Sequence, residues 1–393
     1  MTINNVGLMV MIQGQMLQRE WLQITQQPWL KAMLWWLPLL LFLSLWWIFS
    51  AGSARDLPIG VVDFEHSSLS RAVIRYYDAS PTLQVSQAYT SVSQGKQDLQ
   101  SGKIYALVVI PDQLTQEVLL GHPPTITTFY NSQFLLIGKL VNAAMQQAQG
   151  TFNAQIDAVK SMSKGDTLPQ QALAQAVPIQ TQVTALFNSN SHYGQFLVSA
   201  AIPALWQIFI VATTVLSFSL EQRKQGLSQW LGRNPIPMVV AKILAYTPLY
   251  LVQGMAFLSM LYLWLDWPMH GHWGILLLAQ LLMVLACQSL GALFFMLTLD
   301  VTRSMSFVAA FTAPAFAFMG ITFPASDMPW LGQVWRSMLP VSHYIDVQVM
   351  QVNNGVGLMP VSQPLFALSL FLLLLLVVGL RAKALAMPSG GRS

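Results

Sequence analysis

The spacing of its apolar runs constrains this chain more than any other feature. One run covers residues 33–49, a polar segment of about 145 residues follows, and the remaining runs recur with short gaps toward the C-terminus. Those later runs are 196–216, 243–265, 273–297, 305–323 and 361–380. Each is near the roughly 20 residues a helix needs to cross a bilayer. Helices are expected because lipid offers backbone N–H and C=O groups no partner, and the runs lack the alternation of a barrel strand. Composition agrees: 54% of residues are hydrophobic and 9% charged, with mean hydropathy +0.51, whereas a soluble domain carries roughly a quarter charged residues.

The small residues Ser50, Ala51, Gly52, Ser53 and Ala54 after the first run have the size pattern of a signal-peptidase site. However, some 30 residues precede the run, and its core exceeds the roughly 7–15 residues of a signal peptide. The run therefore reads as a span. With the N-terminus placed inside, the inner segments hold Arg19, Lys31, Arg223, Lys224, Arg233, Lys242, Arg303, Arg381, Lys383 and Arg392 against Glu20, Glu221 and Asp300. The short outer loops hold Arg336 against Asp266, Asp327 and Asp346. Positive charge stays inside, so both termini are expected in the cytoplasm and residues 51–195 outside. The pI of about 9.2 reflects this bias, and nucleic acid need not be invoked.

The outer segment reads as alternating strands and helices. Strands are expected over 57–62, 82–86, 105–110 and 125–130. Helices are expected over 67–77 with Ser67 or Ser68 as cap, over 91–100, over 112–120 after Pro111, and over about 133–162. Such alternation implies a small α/β layer, followed by a polar stretch rich in Gln and Ala that leads to the second span. Its stability must come from packing, because the single cysteine, Cys287, lies in the fourth span.

Leu57-Pro58-Ile59-Gly60-Val61-Val62-Asp63, followed by Ser67-Ser68-Leu69-Ser70-Arg71, and then Gly102 through Pro111, resemble the membrane subunits of type-2 ATP-binding-cassette exporters (ABC-2 permeases), in the branch with a large external domain after the first span. The segment from Glu221 to Pro235, with Lys242 beyond it, is similar to that family's cytoplasmic coupling segment, although Gln225 or Lys224, and Gln229, stand where the family often has acids. The resemblance implies an α-helical polytopic membrane protein of six transmembrane helices, both termini cytoplasmic, with an extracytoplasmic α/β domain between helices 1 and 2. Its parts would be an interfacial amphipathic helix (1–30), helix 1 (31–50), the external domain (51–195) and a five-helix region (196–393). The last would contain a coupling segment (219–242) and an outer re-entrant region (324–360).

In the coupling segment Glu221, Arg223, Gly226, Leu227, Leu231 and Pro235 are the candidate residues. Gly226 would permit a tight backbone, Pro235 would end the short helix, and Leu227 and Leu231 would present an apolar face to the ATPase. In the re-entrant region Pro324, Pro329 and Pro340 punctuate the chain; residues 345–349 alternate like a strand while Tyr344, Ile345, Gln348 and Val352 suit a helix, and the resemblance implies helix over 344–352. Residues 6–29 would place Arg19, Glu20 and several Gln on one side of an interfacial helix, with Met, Leu and Trp on the other. Lys242 would snorkel from an inner end.

No phosphate-binding loop is present: Gly102-Lys103 is followed by Ile104, with Gln97 where the leading glycine belongs. There is no H-E-x-x-H, no cysteine pair and no nucleophile motif. His270 and His272 flank Gly271 in an outer turn and read as loop residues rather than metal ligands. No catalytic, cofactor or metal residues are therefore assigned. The resemblance implies that a separate cytoplasmic ABC ATPase binds ATP and Mg, and that a second permease subunit, identical or paralogous, completes the path. A periplasmic adaptor protein and membrane lipid are further candidate partners, and the bacterial cytoplasmic (inner) membrane is the expected location. The 13 tryptophans and 20 methionines suit efflux of an amphiphilic or hydrophobic, drug-like compound, and suit ordinary lipid contact equally. The alternative is a non-transporting receptor or scaffold whose external domain binds a ligand or envelope protein.

The charge asymmetry makes a direct prediction. Cysteines placed at Ser93 and Ser326 react with an impermeant reagent added outside, and one at Ser228 does not. Labelling at position 228 from outside would reverse the orientation.

Overall fold

The computed structural model describes residues 18–50, 52, 54–120, 122–133, 135–163 and 192–386. Most of the expected interfacial helix (1–17) and the Gln- and Ala-rich stretch 164–191 lie outside the described residues. The chain divides into two compact units, Met1–Gly52 with Ala185–Ser393, and Ser53–Thr184.

Helix α1 (residues 18–26) and helix α2 (Pro28–Ile48) open the first unit. The second unit contains β1 (Leu57–Asp63), α3 (Ser68–Asp78), β2 (Leu83–Tyr89), α4 (Val92–Gln100), β3 (Ala106–Ile110), α5 (Leu114–Leu120), β4 (Thr127–Tyr130) and α6 (Leu135–Ser163). The first unit resumes with α7 (Tyr193–Gln225), α8 (Leu227–Leu231), α9 (Pro235–Trp264) and α10 (Trp273–Thr298). It continues through α11 (Val301–Thr312), α12 (Ala315–Phe318), α13 (Trp330–Met338), α14 (Pro340–Val352) and α15 (Leu358–Ala386).

The Ser53–Thr184 unit follows its local signals closely. Ser67 is the cap of α3, its hydroxyl accepting from the Ser70 amide at 2.9 Å, and Ser91 caps α4 through the Gln94 amide. Such caps satisfy N–H groups that the first helical turn cannot. The sheet order is β2-β1-β3-β4, with β1 parallel to β2 and β3, and β4 antiparallel to β3. Period-two alternation sends Leu57, Ile59 and Val61 to one face, where they pack with Val73 and Tyr77 of α3 and with Val141, Met145 and Phe152 of α6. Val62 and Leu107 point to the other face, where Val92 and Leu99 of α4 cover them.

In the other unit, α2, α7, α9, α10 and α15 are each long and apolar enough to cross a membrane. Residues 305–323, expected as one more span, are not a single helix among the described residues. Helix α11 stops at Thr312, and only the four-residue α12 follows before a bend at Gly320. The cause is Pro314, which offers no N–H to the Ala310 carbonyl and whose ring crowds it. The backbone recovers by turning Ala317 and Phe318 N–H back to the Pro314 carbonyl.

Close backbone approach organises the core of this unit. A Cβ at Gly291 of α10 would stand 2.7 Å from the Val211 carbonyl oxygen and 2.8 Å from Thr214 Cβ, so only glycine lets α10 meet α7 there. Along α7 the hydroxyls of Thr213, Thr214, Ser217 and Ser219 donate to carbonyls of the preceding turn, so these four buried hydroxyls are satisfied.

Phe152 joins α6 to the sheet and meets Tyr76 edge-on, ring centroids 5.5 Å apart. Phe152→Ala should destabilise the α/β unit by about 3 kcal/mol. Denaturant-dependent proteolysis of residues 53–184 would show an earlier midpoint, and an unchanged midpoint would mean that α6 does not hold the sheet.

Candidate functional site

The candidate coupling residues lie where α7 breaks into α8. Arg223 and Lys224 occupy the last turn of α7, where positive charge complements the helix dipole, and both are exposed. Gly226 ends the helix at φ +80°, a backbone state that side chains with a Cβ rarely adopt. Gly232 closes α8 at φ +51°. Pro235 does not end the short helix, as the sequence reading expected: it sits at the first position of α9, where its missing N–H costs no intrahelical bond.

Helix α8 has two unlike sides. Leu227, Trp230 and Leu231 are buried, whereas Ser228 and Gln229 are exposed. Leu227 and Leu231 therefore do not form an outward apolar face. They pack into their own unit, with Trp230 edge-on to Phe218 at a centroid distance of 5.8 Å. The outward surface is polar and basic: Gln222, Arg223, Lys224, Gln225, Gln229 and Arg233.

Behind α8 lies a charge cluster. Lys242 of α9 is 1% exposed, so it does not snorkel. Its Nζ donates to both carboxylate oxygens of Glu20 at 2.9 Å and to Glu221 Oε1 at 2.8 Å. Glu20 and Glu221 are 1% and 0% exposed. Glu221 also accepts from Arg19 and, at 3.1 Å, from Gln23 Nε2, while the Tyr246 hydroxyl donates to Glu20 at 3.1 Å. The Lys242 ammonium lies 5.6 Å from the Trp230 ring centroid and 6.0 Å from that of Phe218. Two cations balance two anions, with Arg19 at the partly exposed edge and the Lys242 ammonium inside a shell of aromatic rings, a geometry in which each charge depends on the others. The cluster ties α1, the end of α7, α8 and the start of α9 into one body.

Sequence reasoning placed Glu20 on a polar helix face and left its partner unseen, because Lys242 lies 222 residues away. One signal was available: Glu221 is a lone acid at the head of a basic segment.

The other candidate residues lie in the connection before α14. Pro324 precedes a 3₁₀ turn at Ala325–Asp327, Pro329 is the N-cap of α13, and Pro340 opens α14. The stretch 345–349 is helical. Helix α14 is buried on most sides; its Val341 amide donates to Gln207 Oε1 of α7 at 3.0 Å, and Gln348 Nε2 reaches the Ser199 carbonyl at 2.9 Å. Arg336 of α13 grips both oxygens of Asp346, at 2.6 and 2.7 Å. His270 and His272 serve the same junction, His270 Nδ1 meeting the Val352 carbonyl at 2.9 Å and the His272 amide donating to Gln351.

Lys242→Met would leave Glu20 and Glu221 buried with less than their counter-charge, a loss of about 3–5 kcal/mol. Membrane abundance and the thermal midpoint in detergent should both fall, and adding Glu20→Gln should recover part of the loss. Parental stability in the single variant would mean that water reaches the cluster.

No curated protein matches the chain at a significant level. The profile of the ABC-2 family transporter proteins, however, matches residues 29–381, which reach from the start of α2 into α15 and include the α/β unit and the break between α7 and α8. The chain belongs to the ABC-2 family of transporter membrane proteins.

Proposed function

We propose that the chain is the permease subunit of an exporter and that a cytoplasmic ABC ATPase docks on the outward side of α8 and the adjoining groove. That groove is lined by Gln18, Arg19, Leu22, Gln23, Gln26 and Lys224. Permeases of this family work with an ABC ATPase component, and the nucleotide chemistry, ATP with Mg, would reside there. The observation that carries the reading is the buried cluster of Lys242, Glu20 and Glu221, which makes α1, α7, α8 and α9 respond together to a push on α8. The basic and amide-rich docking surface favours an acidic patch on the ATPase. In this reading the α/β unit lies outside the inner membrane, available to an adaptor, and a second permease copy or paralogue completes the path. Cargo would be amphiphilic or hydrophobic.

One observation favours the receptor alternative. The α/β unit carries an open pocket of about 820 Å³ between α5, β4 and α6, lined by Tyr77, Ile126, Tyr130, Gln146, Gln149 and Asn153 among others. ATP-dependent cargo movement by the reconstituted complex separates the two readings.

The coupling test must avoid the buried leucines, since a charge at Leu231 would damage the fold itself. Arg223→Glu with Arg233→Glu should abolish copurification of the ATPase while leaving membrane abundance and thermal midpoint unchanged. Gly226→Val, strained at positive φ, should keep the ATPase bound but reduce transport per ATP hydrolysed. If all three substitutions transport at the parental rate at equal abundance, α8 is only a topological connection.

A further inference from the structure

Helix α1 is amphipathic in an uncommon sense: one side is locked by charge, and the other opens a cleft against α2. The chain bends at Gln27, which is extended, and Pro28 then starts α2. The two helices diverge from this elbow and enclose a pocket of about 400 Å³ lined by Trp21, Ile24 and Thr25 from α1 and by Lys31, Trp35, Trp36 and Leu39 from α2.

Three features make the cleft a site rather than a gap. First, it is held open, because Arg19, Glu20 and Gln23 on the same helix bond to Glu221 and Lys242, so α1 cannot roll to close it. Second, residues 32–36 of α2 form a π-helical turn. Wide turns of this kind shift side-chain direction and concentrate at functional positions, and here the turn brings both Trp35 and Trp36 into the lining beside Lys31. Third, Lys31 is exposed, and its ammonium has no acidic partner among the described residues. Tryptophan and lysine together at the end of a span match the chemistry of the headgroup layer, where indole rings sit at the polar boundary and lysine attracts anionic lipid.

We propose that this cleft binds one anionic glycerophospholipid, its phosphate at Lys31 and its first acyl segment along Trp35, Trp36 and Leu39. The charge complementarity decides the class: with a single unpaired cation at the mouth and indole walls below, a zwitterionic lipid gains less because its own cation opposes Lys31. This inference rests on the membrane embedding of the chain and is independent of ATPase coupling, so it can fail while the coupling proposal stands.

The test uses the full-length protein purified in detergent and exposed to phosphatidylglycerol or to phosphatidylcholine with the same acyl chains. Native mass spectrometry counts the retained lipid. One phosphatidylglycerol per chain should persist at detergent concentrations that strip phosphatidylcholine. Lys31→Gln should weaken retention about tenfold without moving the thermal midpoint, and Trp36→Ala should weaken both lipids. A photoreactive residue at position 36 should crosslink to phosphatidylglycerol. Equal retention of the two lipids, parental retention by Lys31→Gln, or crosslinking of position 36 to residues 1–17 of the same chain would each overturn the proposal.

Discussion

The pairing of Lys242 with two carboxylates is the interaction on which the rest of this end of the molecule depends. An ammonium removed from water loses several kcal/mol of solvation, and attraction offsets that loss only when the geometry is good and the remaining lone pairs are occupied. Here they are occupied: Glu20 is held by Lys242 and Tyr246, and Glu221 by Lys242, Arg19 and Gln23. Each helix that meets at the cluster brings something the others need, so none can leave without stranding a charge. The cluster therefore adds specificity more than net stability. It fixes which side of α1 faces inward, and so leaves Trp21 on the outside.

Pairing of backbone groups with protein in place of water explains how the membrane unit tolerates irregular backbone. Lipid cannot satisfy a broken helix, but protein can. Ala315 and Met319, beside the break at Pro314, are almost fully buried. Thr322 donates to the Phe316 carbonyl across the following turn, and at α14 the Gln207 side chain takes an amide that the helix itself cannot use. Two buried glutamines act this way, Gln207 accepting through its Oε1 and Gln348 donating through its Nε2, each holding one backbone group of a neighbouring helix.

What could be read from sequence divides by distance along the chain. The α/β unit was legible almost element by element because its signals are local: Ser67 and Ser91 cap helices three residues ahead, and Pro111 precedes one. The long helix α6 was visible from the spacing of Val141, Ala144 and Met145. Hydropathy alone did not show that residues 305–323 are broken into two helices, since a window average does not register the hydrogen bond that Pro314 removes. It also gave α8 the wrong polarity of faces. Leu227 and Leu231 are apolar whether they meet a partner or their own bundle, and only the aromatic and charged groups behind them decide which. The role of Lys242 depends on a residue 222 positions away, which no local pattern reports.

The geometry also limits how coupling in the proposed transporter could work. A five-residue helix bounded by glycines at positive φ has the look of a hinged paddle, free to swing about Gly226 and Gly232. Its inner side rules that out. Leu231 is fully buried, Trp230 lies over the Lys242 ammonium, and swinging α8 outward would expose the cation's aromatic cover along with the leucines. The glycines thus shape two sharp corners and do not supply motion. Force applied to Ser228 and Gln229 would reach Lys242 through Trp230, and from there α1, α7 and α9 together. In the proposed transporter the moving part would then be the whole charge-bound end of the bundle, with α7 and α9 pivoting further along their length, where Pro203 and Pro248 interrupt their hydrogen bonding.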